Sequence, residues 1–171
     1  FWQLANYIGN EITISNLPRN TSQGDAVFGV ILDQAYCGEG ERHIDAKDIP
    51  DIVPALAAAA IFRKGDTYLE NIGRLRLKES DRIESTCKLL RAFSVEVEST
   101  SDSIIVHGTG MDTTLTPRTK IEGSNDHRIV MTAAILATRA AHEVILTDEF
   151  AINKSYPNFF EDYAIFGGVL Q

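Results

Sequence analysis

The segment Lys78-Glu79-Ser80-Asp81-Arg82 gathers two cations and a carboxylate at the predicted start of a helix. Ser80 or Asp81 is a suitable N-cap, because a side-chain oxygen there can accept a hydrogen bond from a free backbone N–H. That end of a helix also attracts anions through its free N–H groups and its dipole. The segment therefore fits an anion-binding site, although a solvent-exposed set of ion pairs would give the same pattern.

A second segment, Ser124-Asn125-Asp126-His127-Arg128, comes directly before an apolar helix that Ser124 or Asn125 can cap. Arg128 then lies in the first turn, where a buried arginine without a partner would be unfavourable. A bound carboxylate or phosphate would supply that partner through the planar guanidinium, and Asp126 is the alternative partner. His127 is either a proton carrier or, more commonly for such a residue, a structural hydrogen-bonding group.

Two more charged residues lie close to predicted helix starts. Pro50 suits the first turn of a helix and Asp48 is the expected cap, so Asp51 falls in the first turn, where the helix dipole stabilises its anion. Lys154 projects from a loop just before the helix start marked by Ser155 and Pro157. Each residue alone has an ordinary explanation, as a dipole partner or as a surface lysine.

An internal repeat would bring these segments together. The same interval follows each of three predicted strands, Glu11–Ile14, Thr67–Glu70 and Glu143–Leu146, before a helix carrying Phe28, Ile83 or Phe159. Three of the four charged segments lie at corresponding junctions, so repeats arranged around an axis would place them at one end of the fold. The expected site is cationic with two carboxylates and suits a small polyanion: the carboxylates transfer protons and the cations stabilise phosphate and carboxylate charge.

The elements that must position this site are buried helices surrounded by sheets and outer helices. Helices are predicted at Trp2–Ile8, Pro50–Arg63 and Asp126–Ala140, and the last two are apolar on nearly every side, which is typical of buried helices. Further strands are predicted at Val95–Glu98 and Ile104–Val106, with loops over residues 38–46 and 108–122, the second with at most one strand. We expect an α/β (α+β) fold in a single domain over residues 1–171.

The composition and charge of the chain restrict the classes of function that it can have. The net charge of −8 argues against a nucleic-acid partner, although a local cluster of cations can still bind a small anion. The longest apolar run, Val53 to Phe62, is shorter than the ~20 residues of a membrane span. Cys37 and Cys87 have no metal-ligand spacing, so we expect no metal and a reduced, cytoplasmic protein. The chain opens at Phe1 without a Met, which is typical of a fragment.

Taken together, the charged segments resemble one enzyme family. Lys78–Arg82 resembles the K-E-[ST]-D-R motif of EPSP synthases (3-phosphoshikimate 1-carboxyvinyltransferases), and Asn125–Arg128 resembles their N-D-H-R motif. Ile49–Asp51 matches their I-P-D segment, Lys154–Pro157 their K-[ST]-[FY]-P segment, and Gln23–Asp25 is similar to a family tripeptide. The resemblance covers essentially the whole chain, in order.

The resemblance implies a two-domain fold, each domain holding three βαβαββ units around buried helices. This chain resembles the C-terminal domain alone, and the missing N-terminal domain would supply further substrate contacts. The implied reaction transfers the enolpyruvyl group of phosphoenolpyruvate to shikimate 3-phosphate, without metal or organic cofactor. The resemblance implies that Asp51 accepts a proton and that Glu79 donates one, a role it shares with Lys154. It also implies that phosphoenolpyruvate is bound by Arg82, Arg128 and Lys154, and shikimate 3-phosphate by Lys78.

The sequence departs from the family pattern at two places. Two other functions are also compatible with it. Arg74 stands where some members have an asparagine, and the stretch Tyr36–Asp48 is shorter than the usual strand pair. The rival enzyme is the UDP-N-acetylglucosamine enolpyruvyl transferase, which shares the fold but not the two long motifs. The rival of another class is a non-catalytic anion-binding domain. Because catalysis requires groups from both domains, we expect these 171 residues alone to be inactive.

Overall fold

Two apolar helices form the centre of the structure. The computed structural model describes residues 1–14 and 24–170. Its helices are α1 (Trp2–Tyr7), α2 (Phe28–Gln34), α3 (Val53–Ala60), α4 (Arg82–Ala92), α5 (His127–Ala137) and α6 (Phe159–Ile165). Its strands are β1 (Arg42–Asp45), β2 (Lys64–Glu70), β3 (Val97–Ser99), β4 (Ile104–Thr109), β5 (Lys120–Ile121) and β6 (Ile145–Leu146). Short 3₁₀ turns lie at Gly24–Val27, Pro50–Ile52, Gly73–Leu77 and Glu149–Lys154.

Burial of α3 and α5 confirms the interpretation of the two apolar segments. Every residue of α3 is buried, and its alanines allow α1, α4 and α5 to pack closely against it. In α5 the buried run extends from Ile129 to Leu136. Both helices are shorter than predicted, because the first begins as the Pro50–Ile52 turn and the second ends at Ala137.

The strands form one sheet of four and one of two. The larger has the order β1-β2-β4-β3, in which β1 and β2 are parallel and the other pairs antiparallel. Ile44, Leu69 and Ile104 lie at paired positions and are buried, so this face covers the helices. The opposite face carries polar residues, with the His43 ring stacked on Tyr68 at 4.4 Å. The smaller sheet consists of β5 and β6, which are parallel.

The internal repeat is present in two copies among the described residues. The first is a complete βαβαββ unit, which runs β1-α3-β2-α4-β3-β4. The second repeats its first four elements, because β5-α5-β6-α6 has the same parallel pair, buried connecting helix, 3₁₀ turn and outer helix. The α/β fold expected from the sequence is therefore confirmed.

Two local predictions were wrong. Glu11–Ile14 is not a strand, since the Asn6 side chain pairs with the backbone of Ile12, donating to its O at 2.5 Å and accepting from its N at 2.6 Å. The expected loop over residues 38–46 contains β1, a short charged strand whose only buried side chain is Ile44. Gln23, the first residue of the family-like tripeptide, lies outside the described residues.

Candidate active site

The site forms where the starts of three helical segments meet. Asp51 lies in the turn before α3, Lys78 to Arg82 lead into α4, and Arg128 lies in the first turn of α5. Lys154 ends the 3₁₀ turn that precedes α6. Corresponding positions of the repeat thus converge, as the repeat predicted.

Side-chain caps fix where two of these helices begin. Asp81 caps α4 by accepting from the Glu84 N at 3.1 Å, which agrees with one of the two predicted caps. The cap of α5 is Asp126, which accepts from the Arg128 N at 2.9 Å, and neither Ser124 nor Asn125 fills that position.

The third cap prediction also failed, because the residue at the cap position of the Pro50–Ile52 turn is Ile49 rather than Asp48. Asp51 nevertheless lies in the first turn, as predicted. Pro50 opens that turn with its backbone angle φ already fixed near the helical value, so the turn forms without a side-chain cap.

Arg82 is the centre of the site. Its side chain is only 1% exposed and contacts three carboxylates. Nη1 donates to Asp51 Oδ1 at 3.0 Å, Nη2 to Glu79 Oε2 at 2.5 Å, and Nε to Asp126 Oδ2 at 2.8 Å. A guanidinium surrounded by three carboxylates is strongly anchored, because hydrogen bonds between charged groups are about twice as strong as neutral ones.

The remaining cations bind two of the same carboxylates, Asp51 and Glu79. Lys78 Nζ lies 3.4 Å from Asp51 Oδ1, and Arg128 Nη2 lies 3.1 Å from Asp51 Oδ2. Lys154 Nζ forms an ion pair with Glu79 Oε1. All six candidate residues named from the sequence therefore belong to one connected network, which holds four cations.

The network lies at the surface, on a face of the structure that is open to solvent. Arg82 is buried, but the side chains of Asp51, Lys78, Glu79 and Lys154 keep between 26% and 59% of their exposure. A cavity of about 1070 Å³ lies elsewhere, among apolar residues such as Ile121, Ile145 and Phe166, and none of these belongs to the network. Anions therefore have access to the cations from solvent.

Both exposed carboxylates are ionised. The hydrogen bond from Lys154 lowers the pKa of Glu79 to about 2. Burial acts to raise the pKa of Asp51, but the charges of Arg128, Lys78 and Arg82 together outweigh it and lower that pKa. With Glu79 ionised, its carboxylate accepts the hydrogen bond that Lys154 Nζ donates.

His127 is neutral in this environment. Burial, followed by the charge of Arg128, lowers its pKa. Its Nδ1 is buried without a hydrogen-bond partner among the described residues, and lies 4.0 Å from Asp126 Oδ1. The structural hydrogen bond that the sequence offered as one explanation of His127 is therefore not made by this nitrogen.

The contacts of the Asp126 side chain were not predicted from the sequence, which indicated Asp126 only as an alternative partner of Arg128. Its carboxylate binds the side chain of Arg82 and accepts from Ser80 Oγ at 3.2 Å. The available signal was an acidic residue next to a helix cap, but nothing in the sequence joins it to an arginine so far away in the chain.

The 3₁₀ turn before α4 is held by Arg76, which the sequence did not single out. Its Nη1 donates to Asp81 Oδ2 at 2.7 Å and its Nη2 to the Thr100 O at 2.7 Å. Arg74 is exposed in the same turn. Arg76 thus fixes the backbone that carries Lys78 and Glu79 into the site.

No metal site accompanies these residues in the described part of the chain, where His, Cys, Asp and Glu side chains form no group of three able to hold an ion. Among the helices of residues 1–14 and 24–170, none combines the length and the apolar character that crossing a membrane requires.

The family model and the curated relatives that match this chain indicate the same family. A family model described as EPSP synthase (3-phosphoshikimate 1-carboxyvinyltransferase) matches residues 1–163. The chain is 34% identical over 182 residues to the 3-phosphoshikimate 1-carboxyvinyltransferase of Clostridioides difficile, covering 98% of this chain and 41% of that protein. It is 33% identical to the enzyme of the same name from Clostridium perfringens strain 13, covering 100% of this chain and 43% of that protein. The chain thus spans about two fifths of the length of these curated relatives.

Solved structures agree with this relationship. An EPSP synthase from Acinetobacter baumannii matches with a TM-score of 0.66 and 29% identity, over 74% of this chain and 28% of that one. The enolpyruvyl transferase NikO from Streptomyces tendae also matches with a TM-score of 0.66, over 98% of this chain and 42% of that one, and its 15% identity makes it evidence for the fold alone. With a family model matched from residue 1 to residue 163, the chain belongs to the EPSP synthase family.

Proposed function

We propose that this chain is the C-terminal domain of a two-domain EPSP synthase and supplies half of its active site. The complete enzyme would transfer the enolpyruvyl group of phosphoenolpyruvate to shikimate 3-phosphate and release phosphate. The observation that carries this proposal is the network at the helix starts, where four cations and two ionised carboxylates meet on one open face. Both substrates are small polyanions, and such a face suits them.

The proposed cation roles are those that the family resemblance implies. Arg82, Arg128 and Lys154 would bind the phosphate and carboxylate of phosphoenolpyruvate, and Lys78 would bind shikimate 3-phosphate. In the structure, the carboxylates of Asp51 and Glu79 form ion pairs with these cations. Substrate anions would take over part of those contacts, so the cations need little new ordering when the substrate binds.

The proposed reaction is an addition followed by an elimination. The acceptor hydroxyl attacks C2 of phosphoenolpyruvate as C3 takes up a proton. The tetrahedral intermediate then loses phosphate from C2 and a proton from C3, which returns to the group that supplied it, and the enolpyruvyl ether forms. Asp51 would accept the hydroxyl proton, since its lowered pKa keeps it ionised and able to accept. The pair formed by Glu79 and Lys154 would supply the proton to C3. Because Glu79 is ionised and accepts from Lys154, donation by Glu79 would first require a proton transfer across their hydrogen bond.

The rest of the enzyme would complete the site. The relatives are more than twice as long as this chain, and its cationic face is open. Catalysis requires reacting groups to be held within about an ångström of their productive positions, so we expect no turnover from the chain alone. We expect no metal or organic cofactor, and the cytoplasmic location expected from the sequence stays a prediction.

The test is an activity assay on the complete enzyme. Phosphoenolpyruvate and shikimate 3-phosphate are mixed with it, phosphate release is followed, and the enolpyruvyl product is identified by mass spectrometry. UDP-N-acetylglucosamine serves as the alternative acceptor. Phosphate release with this acceptor alone would assign the rival transferase reaction. Binding of phosphoenolpyruvate without turnover of either acceptor would support a non-catalytic anion-binding domain instead.

A further inference from the structure

Asp126 is the most deeply buried carboxylate of the candidate site. Asp126 is 0% exposed, and each of its two carboxylate oxygens accepts two hydrogen bonds. Oδ2 accepts from Arg82 Nε at 2.8 Å and from Ser80 Oγ at 3.2 Å. Oδ1 accepts from Arg82 Nη2 at 3.3 Å and from the Arg128 backbone N at 2.9 Å. A carboxylate so placed cannot turn toward a ligand without leaving a buried charge unpaired, which is unfavourable.

The contacts divide the guanidinium of Arg82 into two edges. The Nε and Nη2 edge faces Asp126 in a two-point contact, and this pairing fixes the plane of the group. Nη1 and the second proton of Nη2 point toward Asp51 and Glu79. Those two carboxylates lie at the open face, whereas Asp126 lies behind Arg82. Only Asp126 therefore holds the orientation of Arg82 when a substrate anion replaces the other two.

The same carboxylate also determines the position of a second cation. Asp126 caps α5, and Arg128 lies in the first turn of that helix. A single side chain thus links the guanidinium of Arg82 to the backbone that carries Arg128. An ordinary helix cap would account for the bond to the Arg128 N, but not for the two bonds to Arg82 or the bond from Ser80.

We propose that Asp126 is a positioning residue, which acts through Arg82 to keep its outer N–H groups directed at the phosphoenolpyruvate subsite. The inference rests on the proposed function and deepens it. It assigns a role in substrate binding to a residue that touches no substrate. Ser80 supports this role by binding the oxygen of Asp126 that receives Arg82 Nε.

The kinetic test uses the Asp126→Asn variant of the complete enzyme. This change keeps the shape and one capping oxygen but removes the charge that orients Arg82. We expect kcat/KM for phosphoenolpyruvate to fall about 10²-fold, mainly through a higher KM, because a small misplacement of a binding group has effects of that order. Wild-type kinetics in a folded Asp126→Asn enzyme would overturn the proposal.

The matched control is Asp81→Asn. Asp81 is also an aspartate that caps a helix, the neighbouring α4, through the Glu84 N, and its ion pair is with Arg76 rather than with Arg82. We expect this variant to lower the melting temperature and to raise KM much less than Asp126→Asn does, because the second contact of Arg76, with the Thr100 O, still holds the turn that carries Lys78 and Glu79. An equal rise of KM in both variants would show that loss of any helix cap disturbs binding, which would overturn a specific role for Asp126.

A double-mutant cycle covers the case in which Asp126→Asn alone does not fold. Arg82→Gln with Asp126→Asn leaves no unpaired buried charge at this pair. If Asp126 acts through Arg82, the double variant has the same kcat/KM as Arg82→Gln alone. A further loss in the double variant would mean that Asp126 acts by another route, and would overturn the proposal.

A spectroscopic readout separates this inference from the proposed function. In the wild-type enzyme labelled with ¹⁵N-arginine, Arg82 Nε–H should give a signal that exchanges slowly with water, because the group is buried and bonded. In a folded Asp126→Asn enzyme this signal should shift and exchange faster, and an unchanged signal would overturn the positioning role. Absence of turnover in the wild type with both substrates would refute the transferase function and leave this measurement valid.

Discussion

The pH dependence of stability offers a direct test of the Glu79 contacts. In the folded chain, the Glu79 carboxylate accepts from Lys154 Nζ and from Arg82 Nη2, and its pKa falls from the ordinary 4.5 to about 2. That difference corresponds to about 3 kcal/mol at 1.36 kcal/mol per pH unit. Because the carboxylate is partly exposed and Lys154 is well exposed, screening by solvent reduces the contribution to about 1–2 kcal/mol.

The sign of the effect follows from the direction of the pKa. A carboxylate whose folded pKa is lowered stabilises the folded state fully above its unfolded pKa of 4.5. The contribution is lost as the pH falls from 4.5 toward about 2. We therefore expect Glu79→Gln to unfold more easily than the wild-type chain at pH 7, with a difference that shrinks below pH 4.5.

The assay is urea unfolding of the wild-type chain and the variant at neutral pH and at two acidic values. Glu84→Gln is the matched control, since Glu84 lies in the first turn of α4, just after Glu79 in the chain, and its contact with Lys88 is long, at 3.9 Å, and exposed. Such a pair contributes about 0.5 kcal/mol or less. Equal stability of the wild type and Glu79→Gln at pH 7, or a difference that grows as the pH falls, would refute the reasoning.

Three further predictions concern other groups. Asp51→Asn should lower kcat of the complete enzyme about 10²–10⁴-fold, measured by phosphate release, and a wild-type rate would remove Asp51 from proton transfer. Arg128→Gln should raise the dissociation constant of phosphoenolpyruvate about tenfold or more in calorimetry, because charged hydrogen bonds are lost; unchanged affinity with a lower melting temperature would give Arg128 a structural role. His107 has a raised pKa, chiefly through its hydrogen bond with Asp66, so its contribution to stability is present below pH 6.5 and lost as the pH rises through the folded pKa. His107→Gln should therefore destabilise the chain more at pH 6 than at pH 8.5 in urea titrations, and a pH-independent effect would contradict this.

The candidate site could be predicted from the sequence because its parts are local. Each charged segment lies beside a helix start, and helix starts are marked by caps, prolines and the onset of apolar spacing. The equal spacing of the repeat then predicted that these separate segments lie together on one face of the fold. Asp51, Glu79, Arg128 and Lys154 do meet there.

The parts that could not be predicted depend on backbone conformation and on distant contacts. Ser124 and Asn125 are both good capping residues, but both have positive φ, at 55° and 49°, so neither adopts the extended conformation of a cap. Asp126, with φ of −120°, does. Its pairing with Arg82 joins two repeats, and sequence spacing does not show which carboxylate an arginine of another repeat will choose.

The failed strand has a similar cause. Glu11–Ile14 has the alternation of a strand, yet Asn6 satisfies the backbone of Ile12 with its own amide group. A side-chain amide can replace one partner of a strand in this way. The opposite error occurred at Arg42–Asp45, where the pairing with β2 makes a strand of a segment that is charged and locally loop-like.

The two-stranded sheet has a practical consequence for handling the chain. Among the described residues β6 pairs with β5 alone, and Ile145 on β6 is 60% exposed. Ile165 and Val169, at the end of α6 and beyond it, are also exposed. A strand edge beside apolar side chains invites pairing with other molecules. Concentrated solutions of the purified chain should therefore form oligomers that dissociate on dilution.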